Sequence, residues 1–189
     1  MIKDLVSRNR TCRRFHQDYA IEIDTLCELV DLARLSASSG NIQPLKYVLS
    51  VAPEKNRSIF PCLGWAGWLE DWPGPAEGER PAAYIVVLGD TELHGSFDFD
   101  AGIAAQSILL GATEIGLAGC IIADIDRPRL RRALDIPGRF KIILVLALGK
   151  PKEHVVLEPV GADGDIKYYR DAEGIHHVPK RSLDEIILD

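Results

Sequence analysis

Two unbroken apolar runs, AAYIVVLG at 82–89 and KIILVLALG at 141–149, constrain this chain more than any other feature. Neither alternates apolar with polar residues, so each reads as a strand buried on both faces, and the sheet that holds them needs helices above and below. The segment between supplies one. A long helix starts near Asp98 or Asp100, either of which can cap it, and runs through GIAAQSILLGATEIG. Its Gly102, Ala104, Ala105, Gly111 and Ala112 are small, which suits close packing on several sides and a subunit interface. CIIA at 120–123 is a further short strand, and Pro128 to Leu134 is a helix with proline in its first turn.

Upstream, Ile2, Leu5 and Val6 mark a short helix. Leu26, Leu29, Val30 and Ala33 mark a second, with Asp24 as its cap and Ser-Ala-Ser-Ser-Gly as its stop. YVLSV at 47–51 reads as a strand and 54–63 as helical, whereas Trp65 to Pro81, with its glycines, prolines and three tryptophans, reads as a loop of the kind that forms lids. No G-x-G-x-x-G follows the first strand, which argues against a dinucleotide-binding fold. The pattern fits an α+β sandwich: a mixed, mainly antiparallel sheet covered by helices. Its 189 residues suit one domain, 1–189, in which the polar, Gly- and Pro-broken stretch 150–189 is an extended arm.

A net charge of −6 provides no field for a polyanion, so nucleic acid is not an expected partner. No apolar run reaches the roughly 18 residues a membrane span requires, and the amino terminus has no apolar core of signal-peptide type, so a cytoplasmic protein is expected. The four cysteines are far apart without a C-x-x-C pair, and the five histidines show no metal-ligand spacing. Reduced thiols and no metal are therefore expected.

In this acidic chain the basic cluster N-R-T-C-R-R-F at 9–15 stands out. Arg10, Thr11, Arg13 and Arg14 place forked donors and a hydroxyl where they could surround one phosphate, or else form a solvated basic face. The second signal is S-A-S-S-G-N-I-Q-P-L-K at 36–46. A helix stop and turn explain Gly40 and Pro44. Asn41 and Gln43 together suggest a grip on the polar edge of a planar ligand.

With these motifs the chain resembles the nitroreductase-like family of FMN flavoproteins. R-T-C-R-R-F and S-S-G-N-I-Q-P carry the resemblance, joined by D-A-G-I-A-A-Q-S-I-L-L (100–110), G-L-A-G-C-I-I (116–122) and L-G-K-P (148–151). The resemblance implies that Asn9, Arg10, Thr11 and Arg13 hold the FMN phosphate, with Lys180 and Arg181 completing that site. It implies that Ser38, Ser39, Asn41 and Gln43 line the ribityl chain and the pyrimidine edge, and that the segment of Ile122 and Ala123 passes beside the flavin N5. Ala123-Asp124 stands where the family has Gly-Gly. Lys46 is the candidate cation near the pyrimidine edge, against the alternative of an ordinary exposed lysine on an edge strand. The implied activity is that of an NAD(P)H-dependent FMN oxidoreductase acting by ping-pong kinetics on a nitroaromatic, quinone or related conjugated acceptor, with the redox chemistry carried by the flavin itself. The alternative is a flavin-binding module with little turnover. A homodimer is expected, with the helix from Asp100 at its interface and the arm reaching to the other subunit.

Overall fold

The central strand is β3 (Ala83–Asp90), buried at all eight positions. It lies between β2 (Leu45–Ser50) and β5 (Phe140–Pro151), which accounts for an apolar run that never alternates. The 12-residue β5 is long enough to carry two partners on its far edge: β4 (Ala118–Ile122) against Val145–Gly149, then β1 (Phe15–His16) against Lys150 and Pro151. Every pairing in this sheet is antiparallel. This is the computed structural model of the chain, and it describes residues 1–188.

Alternation across the pleat divides the core in two. Ile85, Val87, Leu146 and Leu148 pack under α2 (Ile23–Leu35) and α4 (Asp98–Glu114), chiefly on Leu26, Leu29, Ala105 and Ile108. Tyr84, Val86, Val145 and Ala147 face the other way, toward Ile59 of α3 (Pro53–Ile59) and Leu130 of α5 (Arg127–Ala133). Fully enclosed residues such as Ile108 each contribute about 1.5–3 kcal/mol by burial. The small residues of α4 have a specific use: a Cβ on Gly111 would stand 2.3 Å from Leu32 Cδ1, so glycine is what lets α2 approach.

Three expectations are corrected here. Glu22, rather than Asp24, occupies the cap position of α2, and its side chain makes no capping bond. Phe97 precedes α4, so neither Asp98 nor Asp100 caps it; Asp100 is buried and accepts the backbone N–H of Ser39 at 3.2 Å. The arm, finally, is folded. β6 (Val155–Pro159) pairs in parallel with β8 (His176–Lys180), β7 (Tyr169–Arg170) adds antiparallel to β8, and the helical turn α6 (Leu183–Ile186) follows. Residues 153–177 pack on their own chain, through Arg13, Trp68 and Trp72, rather than extending away from it. The arm's end, with Leu183, Ile186, Ile187 and Leu188, is exposed, as are Leu157, Ile166 and the turn at 161–164.

Among the described residues no helix is long and apolar enough to cross a membrane, and no group of three His, Cys, Asp or Glu side chains is placed to hold a metal.

Candidate functional site

The segment after α2 forms a strained turn. Gly40, Asn41 and Gln43 all have positive φ, at 57°, 56° and 54°. Glycine and asparagine tolerate that region; glutamine does so poorly, and the residue before a proline is pushed toward extended backbone. Holding Gln43 there costs of order 1–3 kcal/mol, which the surrounding contacts must offset. The Ser38 hydroxyl accepts the Gln43 N–H at 2.9 Å, and Asp100 anchors Ser39 from α4. The result holds the side chains of Asn41 and Gln43 outward, both exposed, with Gln43 Nε2 donating to the Asn41 carbonyl at 3.2 Å. Ser38, Gln43, Lys46, Tyr47 and Asp100 then line one cleft of about 240 Å³ between α2, the edge strand β2 and the start of α4. Burial and the Asp100 charge push the Tyr47 hydroxyl up to about 12, so it remains a neutral donor. Lys46 is exposed on β2, opposite Leu88.

The basic motif lies across the sheet. Asn9 ends α1 (Ile2–Arg8), its N–H donating to Leu5 O at 2.9 Å, and Thr11 bridges Gly119 at the outer side of β4. Arg10 and Cys12 line a second cleft of about 220 Å³ with Arg8 and Glu153. Arg10 gives one donor to Val6 O at 2.6 Å, its Nε is buried without a partner, and burial lowers its pKa. Arg13 is only 8% exposed. Its guanidinium lies 4.5 Å from the Tyr168 ring centroid and 3.3 Å from His176 Nε2, and its Nε also has no partner. β3 and β5 separate the two clefts, which at about 4.8 Å per strand puts roughly 14 Å of sheet between β2 and β4.

The remaining candidates fall at neither cleft. Lys180 and Arg181 line a shallow groove at the far end of β8, and Arg181 faces Glu185 at 3.5 Å. Four residues of strand, about 13 Å, separate Lys180 from His176, the member of β8 that touches Arg13. Ile122 is buried at the end of β4, and the Ala123 carbonyl accepts from Arg127 at 3.2 Å. Asp124 folds its carboxylate over Gly64, whose N–H donates to the Asp124 carbonyl at 2.9 Å; a Cβ on Gly64 would meet Asp124 Oδ2 at 1.9 Å.

Three participants escape a reading of the sequence. Asp100 anchors the strained turn from 61 residues away, and Glu153 and Tyr168 clasp Arg13 from the arm. Asp100 stood within a family-like motif and was available as a signal; Glu153 and Tyr168 lie in stretches without periodicity. The tryptophan loop belongs to the same clasp. Trp65 packs on Phe60 with centroids 5.7 Å apart, while Lys167 lies 5.4 Å over Trp68 and Arg170 4.7 Å over Trp72.

With this architecture and these motifs the chain belongs to the Nitroreductase family, which it matches over residues 6–71 and 79–150. The unmatched pieces are residues 1–5, part of the tryptophan loop and the arm. No curated protein matches the chain in sequence. Among solved structures, the nitroreductase family protein of Streptococcus pneumoniae TIGR4 is 20% identical with a TM-score of 0.71, each chain covered over 100% of its length. A protein of Clostridium difficile R20291 described as an FMN-dependent nitroreductase is 22% identical, TM-score 0.68, covering 82% of this chain and 89% of its own. A nitroreductase family protein of Clostridium novyi NT is 23% identical, TM-score 0.65, with 80% and 87% covered. At these identities the likeness is one of fold.

Proposed function

We propose that the protein is an FMN-dependent oxidoreductase that accepts hydride from NADH or NADPH and then reduces a nitroaromatic, quinone or related conjugated acceptor in the same pocket, by a ping-pong mechanism. The observation that carries this reading is the strained turn that holds Asn41 and Gln43 outward beside Ser38 and Lys46. Backbone strain kept for the sake of exposed amides favours a ligand with a polar edge. The description of the Clostridium difficile structure as FMN-dependent agrees with it.

The residues fit such a cofactor. Arg10 and Arg13 are cations with unpartnered Nε atoms, suited to the phosphate, and Thr11 adds an exposed hydroxyl. Arg13 has to leave Tyr168 and His176 to take part. Ser38, Ser39, Asn41 and Gln43 would hold the ribityl chain and the ring edge, and Lys46 or Tyr47 could face the charge that builds there on reduction. When bound, the flavin supplies the two-electron chemistry; the protein's part is to bind, orient and exclude water.

Because the two motifs lie on opposite edges of one sheet, a homodimer completes the site, with the phosphate half from one subunit and the ring half from the other. Supporting this, Phe99 and Ile103 on the outer face of α4 are 78% and 39% exposed, beside the ring half. A second reading, a flavin-binding module with little turnover, is favoured by Asp124, whose carboxylate stands at the segment resembling the N5 contact and would disfavour a reduced, anionic ring.

The visible spectrum of the purified protein, with FMN added, is the first test: oxidised flavin bands are expected, and their absence overturns the proposal. Anaerobic mixing with NADH or NADPH then separates the two readings. The enzyme bleaches those bands within seconds, whereas the module leaves them oxidised for minutes.

A further inference from the structure

A third cavity, of about 420 Å³, lies apart from both clefts, between the 17–21 loop, α3 and the amino-terminal end of β3. That volume falls within the range of small-molecule sites, about 300–1,000 Å³. Ile21, Val51, Phe60 and Pro81 give it apolar walls, and of the polar side chains that also line it the Arg80 guanidinium and Tyr84 lie close enough for the charge of one to act on the other.

The sequence folds this way because Glu79 and Arg80 part company. Glu79 turns away from the cavity, its carboxylate 2.7 Å from Arg14 and 3.1 Å from Lys152. Gln17 Oε1 then pins the backbone by accepting the N–H groups of Gly78 at 2.7 Å and Arg80 at 3.2 Å. Arg80 is left inward with its guanidinium 4.4 Å from the Phe60 ring centroid. Its Nε is buried without a partner, and among the described residues no carboxylate forms an ion pair with it. Tyr84 is 1% exposed, and burial raises its pKa against the pull of Arg80, so its hydroxyl stays a neutral donor. A stacked, unpaired guanidinium beside a buried hydroxyl is a forked donor set without an acceptor.

We propose that this cavity binds a small monocarboxylate with an aromatic or bulky apolar body, the carboxylate on Arg80 and Tyr84 and the body against Phe60, Ile21 and Val51. A single negative charge is specified because Asp18 and Glu77 also line the cavity and oppose a dianion such as a phosphate monoester. Arg57 also lines the cavity, but its side chain is largely in solvent, paired with Glu54 at 3.1 Å, so its charge is screened where that of Arg80 is not.

The test uses the full chain and 3-phenylpropanoate, followed by calorimetry and by tryptophan emission, since Phe60 touches Trp65 with ring centroids 5.7 Å apart. The neutral 3-phenylpropan-1-ol and the dianionic phenyl phosphate are the comparison ligands. Saturable binding of one acid per chain is expected, with both comparison ligands weaker by about tenfold or more, the cost of losing a charge-assisted contact. Arg80→Gln should bring the acid down to the level of the alcohol and leave the alcohol unchanged. Should that variant fail to fold, Tyr84→Phe takes its place, and the preference for acid over alcohol should shrink by about threefold. No saturable binding, equal binding of acid and alcohol, or tighter binding of phenyl phosphate overturns the proposal. The titration is run with and without FMN: failure in both leaves the flavin reading intact, and displacement of FMN by the acid would overturn the assignment to a separate cavity.

Discussion

The carboxylate of Glu153, whose side chain exposes no surface at all, lies 3.1 Å from Arg170 Nη2. The same carboxylate accepts the backbone N–H of Arg13, so one buried acid joins the arm to the basic motif. Removing one partner of a buried pair leaves an uncompensated charge, which typically costs about 3–5 kcal/mol. Glu153→Ala should therefore lower the melting temperature sharply in circular dichroism scans. A melt like that of the wild type would show that water already reaches the pair.

The adjacent histidines of β8 predict opposite pH dependences. His176 is buried and sits between Arg13 and Arg170, so desolvation first, then those charges, lower its pKa to about 4. The unfolded chain binds that proton more readily, and the stability His176 confers is present above about pH 6.5 and lost as pH falls toward 4. His177 lies between Asp171 at 3.0 Å and Glu158 at 2.9 Å, stacked on Tyr169, and the two carboxylates raise its pKa. Its contribution is complete below about pH 6.5 and fades as pH rises through the raised value. Urea melts across pH should show that His176→Leu removes the acid-side decline and His177→Gln the alkaline one. A pH profile unchanged in either variant would discard that residue's part.

Arg13 and Tyr168 should act on FMN in opposite directions. Loss of a charge-assisted phosphate contact is worth about 1.5–3 kcal/mol, so Arg13→Ala should weaken FMN binding roughly ten- to a hundredfold. Tyr168→Ala removes a cation–π contact worth about 0.5–2 kcal/mol that competes for the same guanidinium, and should tighten it about two- to thirtyfold. Fluorescence titration of FMN measures both. Unchanged affinity in Arg13→Ala would move the phosphate elsewhere.

Asn41 is tested best by two substitutions together. Asn41→Ala loses the amide and also strains the turn, whereas Asn41→Gly loses only the amide, because glycine accepts φ 56°. Both should weaken FMN by about two- to twelvefold, the worth of one hydrogen bond, with a lowered melting temperature only for alanine. Wild-type affinity in the glycine variant would reduce Asn41 to a turn residue.

For the dimer, Phe99→Glu combined with Ile103→Lys changes the exposed face of α4 without touching the core. Light scattering should find a dimer for the wild type and a monomer with little bound FMN for the variant. A flavin-loaded wild-type monomer would sink the shared site.

What the sequence made legible depended on periodicity and on local chemistry. β3 and β5 could be read because their central residues are buried on both faces, α4 because its apolar and small residues run on without a break signal, and the 36–46 turn because Asn41 and Gln43 are odd residues for a mere helix stop. The caps could not be read: Asp24 and Asp98 are ordinary cap types, but each lies inside its helix, and the residues that precede the helices, Glu22 and Phe97, carry no cap signal. The arm was opaque for a related reason. β7 has two residues, β8 contains Pro179, and β6 ends in Pro159, so no run is long enough to show a strand period. That Arg13 faces Tyr168 is a matter of tertiary packing across more than 150 residues, which no local spacing records.

The parallel pairing of β6 with β8 puts its two strands on opposite sides of the exposed turn at Gly161–Gly164. A protease cutting that turn would sever the covalent chain and leave every other bond between the pieces in place. Val155 still faces His176, Glu153 still faces Arg170, and Lys167 and Arg170 still lie over Trp68 and Trp72. A nicked protein should therefore run as two bands on a denaturing gel and as one species in native separation. The carboxyl-terminal piece would thus behave as a docked ligand of the amino-terminal one, separable and returnable as a synthetic peptide.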